Sequence, residues 1–213
     1  MQFTKSVVIS CAGIGSRLGL GQNKSLIKIN GRTLISWQLE LLKSVKDIRI
    51  VVGYQAEEII KEVLKYRNDV IFVYNHQYFE TKTGASFYIG AKNTNEYVIE
   101  WDGDLLVHPD DVTRILAQED EFICYSEKSS EEAVFVNTDA NGNVTSFSRE
   151  HGNYEWTGPA CIKRDKVTCA KENVFNIIED HLPMKGILVR AYDIDTSGDY
   201  QRVSEIVKNW NLK

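Results

Sequence analysis

The sequence predicts an α/β domain whose first half is a mostly parallel sheet and whose second half adds mixed or antiparallel strands. Three observations carry this. Short β-branched runs alternate with helix-spaced apolar residues through the first half, at a rhythm that calls for right-handed crossovers. From residue 121 onward, strand-like runs follow one another with turn residues between them. The 213 residues contain no repeat, linker or low-complexity stretch at which to cut them, so one domain over 1–213 is expected.

The first element is the run Lys5-Ser-Val-Val-Ile-Ser10, a buried strand. Ser25 to Ile29 followed by Asn30-Gly31 reads as a small hairpin, because Asn-Gly suits a two-residue turn. Leu34, Trp37, Leu41, Leu42 and Val45 share helical spacing and predict a helix over 34–45. A strand over 48–52 ends at Gly53, a helix covers 57–66, and a further strand covers 70–74. A helix over 84–93 leads to the strand 97–101, which runs into Asp102-Gly103-Asp104. Pro109-Asp110-Asp111 opens a helix to about Ala117, since proline and acids suit a first turn. Strands are predicted over 121–126, 133–137, 144–148 and 154–162, then a helix over 174–182, a strand over 187–191 and a last helix from about Asp199.

Composition narrows the function classes. Hydrophobic content of 43% with 26% charge is globular, and a net charge of −5 disfavours sequence-independent binding to nucleic acid. Cys11, Cys124, Cys161 and Cys169 form no CxxC pair and read as reduced core residues. No apolar run approaches the ~18–20 residues of a membrane span, and no signal segment is seen, so a cytoplasmic protein without a membrane partner is expected.

The stretch CAGIGSRLGLGQNKSL, residues 11–26, holds four glycines and two cations with no acid. Unshielded backbone N–H groups beside cations suit a phosphate chain. The dinucleotide fingerprint fails at Leu18 and the P-loop fails at Asn23, so neither familiar phosphate loop applies. Arg17 can bridge two phosphates through its planar fork and Lys24 acts as a compact charge; the alternative is two surface cations. Asp102-Gly103-Asp104 stands at a strand end, where open α/β sheets place ligands, and paired carboxylates there suit Mg²⁺; the alternative is a solvated turn. Asp193 and Asp195 share one face of a later strand, while Asp199 belongs to the first turn of the last helix. An acid from each half would close around one metal ion.

Other chemistry finds less support. His76, His108, His151 and His181 lack metal spacing, and Ser10 and Ser16 lack a nucleophile elbow. Trp101, Tyr125, Tyr154 and Trp156 are first assigned to the core; alternatively they wall a pocket suited to a quaternary ammonium.

Ala12-Gly-Ile-Gly-Ser-Arg-Leu18, followed by Lys24-Ser-Leu26 and Asn30-Gly-Arg-Thr-Leu34, resembles the signature of the nucleotidyltransferases that activate sugar phosphates, phosphocholine and related phosphate esters. The resemblance continues in order through Gly53-Tyr54, Gly103-Asp104, Thr157-Gly158 and Asp193-Ile-Asp195-Thr with Asp199, and so covers nearly the whole chain. It implies a single-domain Rossmann-like mixed sheet of the nucleotide-diphospho-sugar transferase type, with helices on both faces. It also implies that an acceptor phosphate attacks the α-phosphorus of a nucleoside triphosphate and that pyrophosphate leaves.

The resemblance assigns residues as well. Ala12, Gly13, Gly15 and Ser16 would wrap the nucleotide, Arg17 would contact the triphosphate, and Lys24 would bridge the α-phosphate and the acceptor. Asp104 would be the principal Mg²⁺ ligand with Asp195 or Asp193 opposite, and Asp102 would lie beside the nucleotide. Thr83, Gly84 and Ser86 sit where the family reads the base, and Trp156 and Tyr125 are the candidate acceptor wall. Asn23 replaces the proline of most members, as in the phosphocholine cytidylyltransferase branch. This favours CTP, with a small phosphate or phosphonate ester such as phosphocholine as acceptor, for decorating surface polysaccharides; a homodimer is the assembly to test for. The rival readings are a sugar-1-phosphate nucleotidylyltransferase using UTP or another triphosphate, a glycosyltransferase using Asp102-Gly-Asp104, and a silent nucleotide-binding module.

Overall fold

The computed structural model describes residues 4–15, 21–129, 133–169 and 171–210. Its first half contains strands β1 (Lys5–Ser10), β2 (Lys28–Ile29), β3 (Arg32–Thr33), β4 (Asp47–Val52), β5 (Ile71–Tyr74), β6 (Tyr97–Asp102) and β7 (Leu105–Val107), with helices α1 (Leu34–Leu41), α2 (Ala56–Val63), α3 (Thr83–Gly90) and α4 (Pro109–Leu116). The second half adds β8 (Phe122–Ser126), β9 (Phe135–Thr138), β10 (Asn143–Ser148), β11 (Tyr154–Lys163), α5 (Val174–Glu179), β12 (Met184–Leu188), β13 (Ala191–Asp193) and α6 (Ser197–Val207).

Nine strands form one sheet in the order β5-β4-β1-β6-β11-β8-β12-β10-β9. β1 lies centrally in the parallel part, hydrogen-bonded in parallel to both β4 and β6. β11 then runs antiparallel to β6 and β8 and begins the mixed half, so the predicted change of character falls where β11 joins. Helices cover both faces because side chains alternate along each strand. Val7 and Ile9 of β1 pack in one layer with Ile35, Ile59 and Val112 from α1, α2 and α4. Val8 faces the other layer with Phe87 of α3 and Ile177 of α5. A third cluster seats α6, through Val203 and Val207, on Leu34, Trp37 and Ile194.

Three predicted elements differ most from the structure, and one strand is unpredicted. The hairpin keeps its Asn30-Gly31 turn, with φ of 49° and 83°, but its first strand is only Lys28–Ile29 because Lys24–Leu26 winds into a 3₁₀ turn. Helix α1 ends at Leu41 rather than near 45, where the chain turns through Leu42. β7 was not foreseen. The strand predicted over 187–191 is split: β12 ends at Leu188 and β13 starts at Ala191. The break falls where Arg190 donates its N–H and its Nε to the buried Asp111 Oδ2, at 3.0 and 2.8 Å. As a result Asp195 lies beyond the end of β13, on the extended segment entering α6, and does not share a strand face with Asp193. Asp199 stands in the first turn of α6 as expected, closing a capping box with Thr196.

Candidate active site

The site forms where the carboxyl ends of β1, β4 and β6 meet. The glycine-rich loop leaves β1 held by backbone bonds on both sides: Cys11 N–H donates to Val51 O at 2.8 Å, Tyr54 N–H to Ala12 O at 3.0 Å, and Gly103 N–H to Ser10 O at 3.0 Å. Gly103 is required by this closeness. A Cβ there would stand 2.7 Å from Ser10 O and 2.8 Å from Cys11 Sγ, so the Asp102–Asp104 turn could not lie against the loop.

Above this junction opens a pocket of about 280 Å³. Ala12, Gly13, Gly15, Lys24, Thr83, Ser86, Asp102 and Asp104 all line it, which unites most of the predicted residues. Gly84 has another role, because its Cβ position lies 2.6 Å from Glu172 O and its N–H donates to that same oxygen. It lets α3 touch the segment before α5. Ser16 and Arg17 lie outside the described residues. Cys11 also faces the pocket, but burial, reinforced by Asp104 and Asp102, pushes its thiol up to about 12, so it stays neutral and is no nucleophile.

Lys24 is the centre of the polar arrangement. Its Nζ donates to Asp104 Oδ2 at 2.7 Å and to Asp195 Oδ1, joining an acid from β6's end to one from beyond β13. Burial alone would lower its pKa, but the charges and hydrogen bonds of Asp104 and Asp195 raise it, so the ammonium stays charged. Gln38 of α1 braces the acidic turn from below, donating through Nε2 to Asp102 O at 2.8 Å and Leu105 O at 2.7 Å.

The acids exceed what one lysine balances. Burial, then the charge of Asp104, pushes Asp102 up to about 7. Asp193 is raised well above the usual carboxylate range by burial and then by Asp104 and Asp102. Glu100 of β6 is 0% exposed, and its carboxyl lies against that of Asp102, with which it shares a hydrogen bond. Burial, then the charge and side-chain hydrogen bond of Asp102, raise it well above the usual carboxylate range.

A divalent cation fits this donor set. The Asp104 and Asp195 oxygens converge on one point, where they already face a positive charge, and the raised acids around them mark a strongly negative potential. Among the described residues no three His, Cys, Asp or Glu side chains form a ready ligand cage. Two carboxylates with water and phosphate oxygens is the usual protein share for Mg²⁺.

Glu100 supplies a test of these electrostatics. It holds a proton in the folded chain at pH values where unfolded glutamate has lost it, so folding takes up a proton and stability falls as pH rises above about 4.3. Glu100→Gln has no proton to take up. Its stability relative to wild type should therefore increase with pH, by at most about 1.4 kcal/mol per unit, until the folded-state pKa is passed. Urea unfolding of both proteins at pH 5 and pH 8 measures this, and a pH-independent difference would refute a protonated Glu100.

A second, wider cleft of about 930 Å³ adjoins the pocket and shares Thr83 and Asp102 with it. Trp156 and Phe175 provide its aromatic surface, and Glu155, Asp193, Asp195 and Asp199 make it acidic, with Arg149 and Arg202 as cations. Trp156 stands edge-on to Phe147 at 5.4 Å. Tyr125 is the cross-strand partner of Trp156, but it is only 7% exposed, packs at a tilt against Tyr154 with ring centroids 4.6 Å apart and belongs to the core. The pairing with Trp156 as an acceptor wall is therefore corrected: Tyr125 lies beside Trp156 on the neighbouring strand and is part of the core.

Sequence reasoning missed Asn75, which follows β5 and lies in the pocket wall. Its Nδ2 donates at 3.1 Å to both Thr81 Oγ1 and Ser86 Oγ. Its only signal was a polar residue just past an apolar strand.

Residues 7–167 match the MobA-like NTP transferase domain. Over an alignment of 234 positions, gaps included, the chain is 30% identical to the choline-phosphate cytidylyltransferase of Streptococcus pneumoniae (strain ATCC BAA-255 / R6), covering 96% of this chain and 99% of that one. Among solved structures it resembles CTP:phosphocholine cytidylyltransferase from Streptococcus pneumoniae, with a TM-score of 0.76 at 23% identity over 96% and 99% of the two chains. It also resembles inositol-1-phosphate CTP transferase from T. maritima, with a TM-score of 0.78 at 18% identity over 98% of each chain. At these identities the structural matches speak for the fold, and they agree with the Rossmann-like mixed sheet expected from the motifs. No helix among the described residues is long and apolar enough to cross a membrane.

Proposed function

The chain belongs to the MobA-like NTP transferase family, and on that premise we propose that it transfers CMP from CTP to a small phosphate ester such as phosphocholine. An acceptor phosphate oxygen forms a bond to the α-phosphorus, the bond from that phosphorus to the bridging oxygen breaks, and pyrophosphate leaves. The observation that carries this reading is Lys24, a largely buried ammonium held between Asp104 and Asp195 at the mouth of a glycine-lined pocket. It stands where two anions have to be brought together.

The loop from Ala12 to Gly15 binds the phosphates through its backbone, and Lys24 lowers the repulsion between the nucleotide and the acceptor. No residue is needed as general base, because the acceptor phosphate is already ionised. Asp104 and Asp195 are the residues that would hold Mg²⁺, which when bound supplies charge for the departing pyrophosphate. In this reading Thr83 and Ser86, with Asn75 hydrogen-bonded to Ser86, face the base. Trp156 and the acids of the wider cleft suit an acceptor with a cationic end. The choice of CTP rests on the end-to-end likeness to a choline-phosphate cytidylyltransferase and on Asn23. A cytoplasmic location and a role in surface-polysaccharide decoration complete the proposal.

Pyrophosphate release across CTP, UTP, GTP, ATP and dTTP, each with phosphocholine, other phosphate esters and sugar 1-phosphates, tests the reading. Release with CTP and a cationic phosphate ester supports it. Release confined to UTP with a sugar 1-phosphate supports the rival, and none with any pair rejects both.

A further inference from the structure

The glycine-rich loop and Lys24 are joined by one buried amide that the transfer chemistry leaves unused. Asn23 is 2% exposed, and its polar groups are engaged on three sides. Its Nδ2 donates to Cys11 O at 2.7 Å and Gly13 O at 2.8 Å, with a longer contact to Tyr54 O at 3.4 Å. Its Oδ1 accepts from Ser25 N–H at 3.0 Å and Ser25 Oγ at 2.7 Å. Its own N–H donates to Gln55 Oε1 at 2.7 Å, and its carbonyl accepts from Leu26 N–H at 3.0 Å.

We infer that Asn23 is a positioning residue that sets the glycine-rich loop and the Lys24 ammonium at a fixed separation. The inference rests on the reading that this pocket takes the triphosphate and that Lys24 meets the reacting phosphate. Two halves of one side chain do different work. The acceptor half caps the 3₁₀ turn Lys24–Leu26, which is too short to hold itself and which aims Lys24 at Asp104 and Asp195. The donor half anchors the Cys11 and Gly13 carbonyls. Because the C=O and N–H of a trans peptide point in opposite directions, this also fixes where the Ala12 and Ile14 N–H groups point. The same side-chain amide reaches the turn after β4 at Tyr54 O, and the backbone N–H of Asn23 reaches it at Gln55 Oε1.

The backbone at Asn23, φ −59° and ψ 132°, is the extended shape that proline adopts. Proline would therefore fit here, but it would delete the Gln55 bond and every side-chain bond. Serine would keep an oxygen able to cap Ser25 N–H while losing the donors to Cys11 and Gly13. The two variants separate the halves.

In Asn23→Ser, the nucleotide KM should rise by about tenfold or more while kcat stays within about threefold, and in Asn23→Pro kcat should also fall by about tenfold or more. Thermal melting run in parallel reports stability. A purely structural role would lower the melting midpoint and leave the KM of the folded enzyme where it was. An unchanged nucleotide KM in Asn23→Ser, or an unchanged kcat in Asn23→Pro, overturns the inference. Native-state amide exchange tests it without turnover: Tyr54 N–H, bonded to Ala12 O, should exchange faster in Asn23→Ser, and Ser25 N–H should do so in Asn23→Pro. Should wild type release no pyrophosphate with any pair, the proposed function fails, and the exchange rates alone decide; rates equal to wild type overturn Asn23's role.

Discussion

In Lys24→Met, pyrophosphate release is expected to fall by about 10²–10³-fold while nucleotide binding weakens far less. Methionine keeps the length and apolar body of the side chain and removes the charge. The lost interaction is the one that grows as the acceptor oxygen approaches the α-phosphorus, so the deficit should fall on kcat. Turnover compared with calorimetric titration of the nucleotide measures the split; equal losses in both would make Lys24 a ground-state contact. The ammonium's pKa is raised between Asp104 and Asp195, so lowering or raising pH within the working range does not imitate the mutation. The same variant should melt at a lower temperature in metal-free buffer, since two carboxylates lose their shared cation.

Asp104→Asn is expected to reduce turnover by about 10³-fold and to raise the Mg²⁺ concentration needed for half-maximal rate. Asparagine preserves the shape of the turn that Gln38 braces, so the loss reports the carboxylate rather than the fold. Titrating Mg²⁺ against rate in both proteins is the check. An active variant with an unchanged Mg²⁺ requirement would remove Asp104 from the metal.

The parallel half of the fold was legible because its signals are local. β1, β4 and β6 carry short β-branched apolar runs at Val7–Ile9, Ile50–Val52 and Val98–Ile99, and α2 and α4 carry their stripe at helical spacing. β7 escaped notice because three residues after an Asp-Gly-Asp turn are too few to show alternation; only pairing with β13 makes them a strand. The break between β12 and β13 was illegible for a related reason, since Asp111, which captures Arg190, lies 79 residues away. At the site, motif order pointed to Lys24, Asp104 and Asp195, which the structure brings together. That one ammonium meets both carboxylates was hidden, because its partners are 80 and 171 residues distant. Trp156 and Tyr125 shared a strand-like setting in the sequence, and only the packing of Tyr154 against Tyr125 separates cleft wall from core. Asn23 was visible as an oddity at a proline position, while its bonds to the loop and to the turn after β4 were not.

The bridge from Lys24 to Asp195 also sets a timetable for the growing chain. A ribosome adding about 5–20 residues per second needs roughly 10–30 s to travel from the lysine codon to that of its distant partner. During that interval the loop, α1 and the central strands can assemble, yet the ammonium has only Asp104 to meet. Nascent chains halted before Asp195 would thus carry a nucleotide pocket with one wall of its charge clamp missing, and competence for transfer would arrive late in synthesis, as β13 pairs with β7.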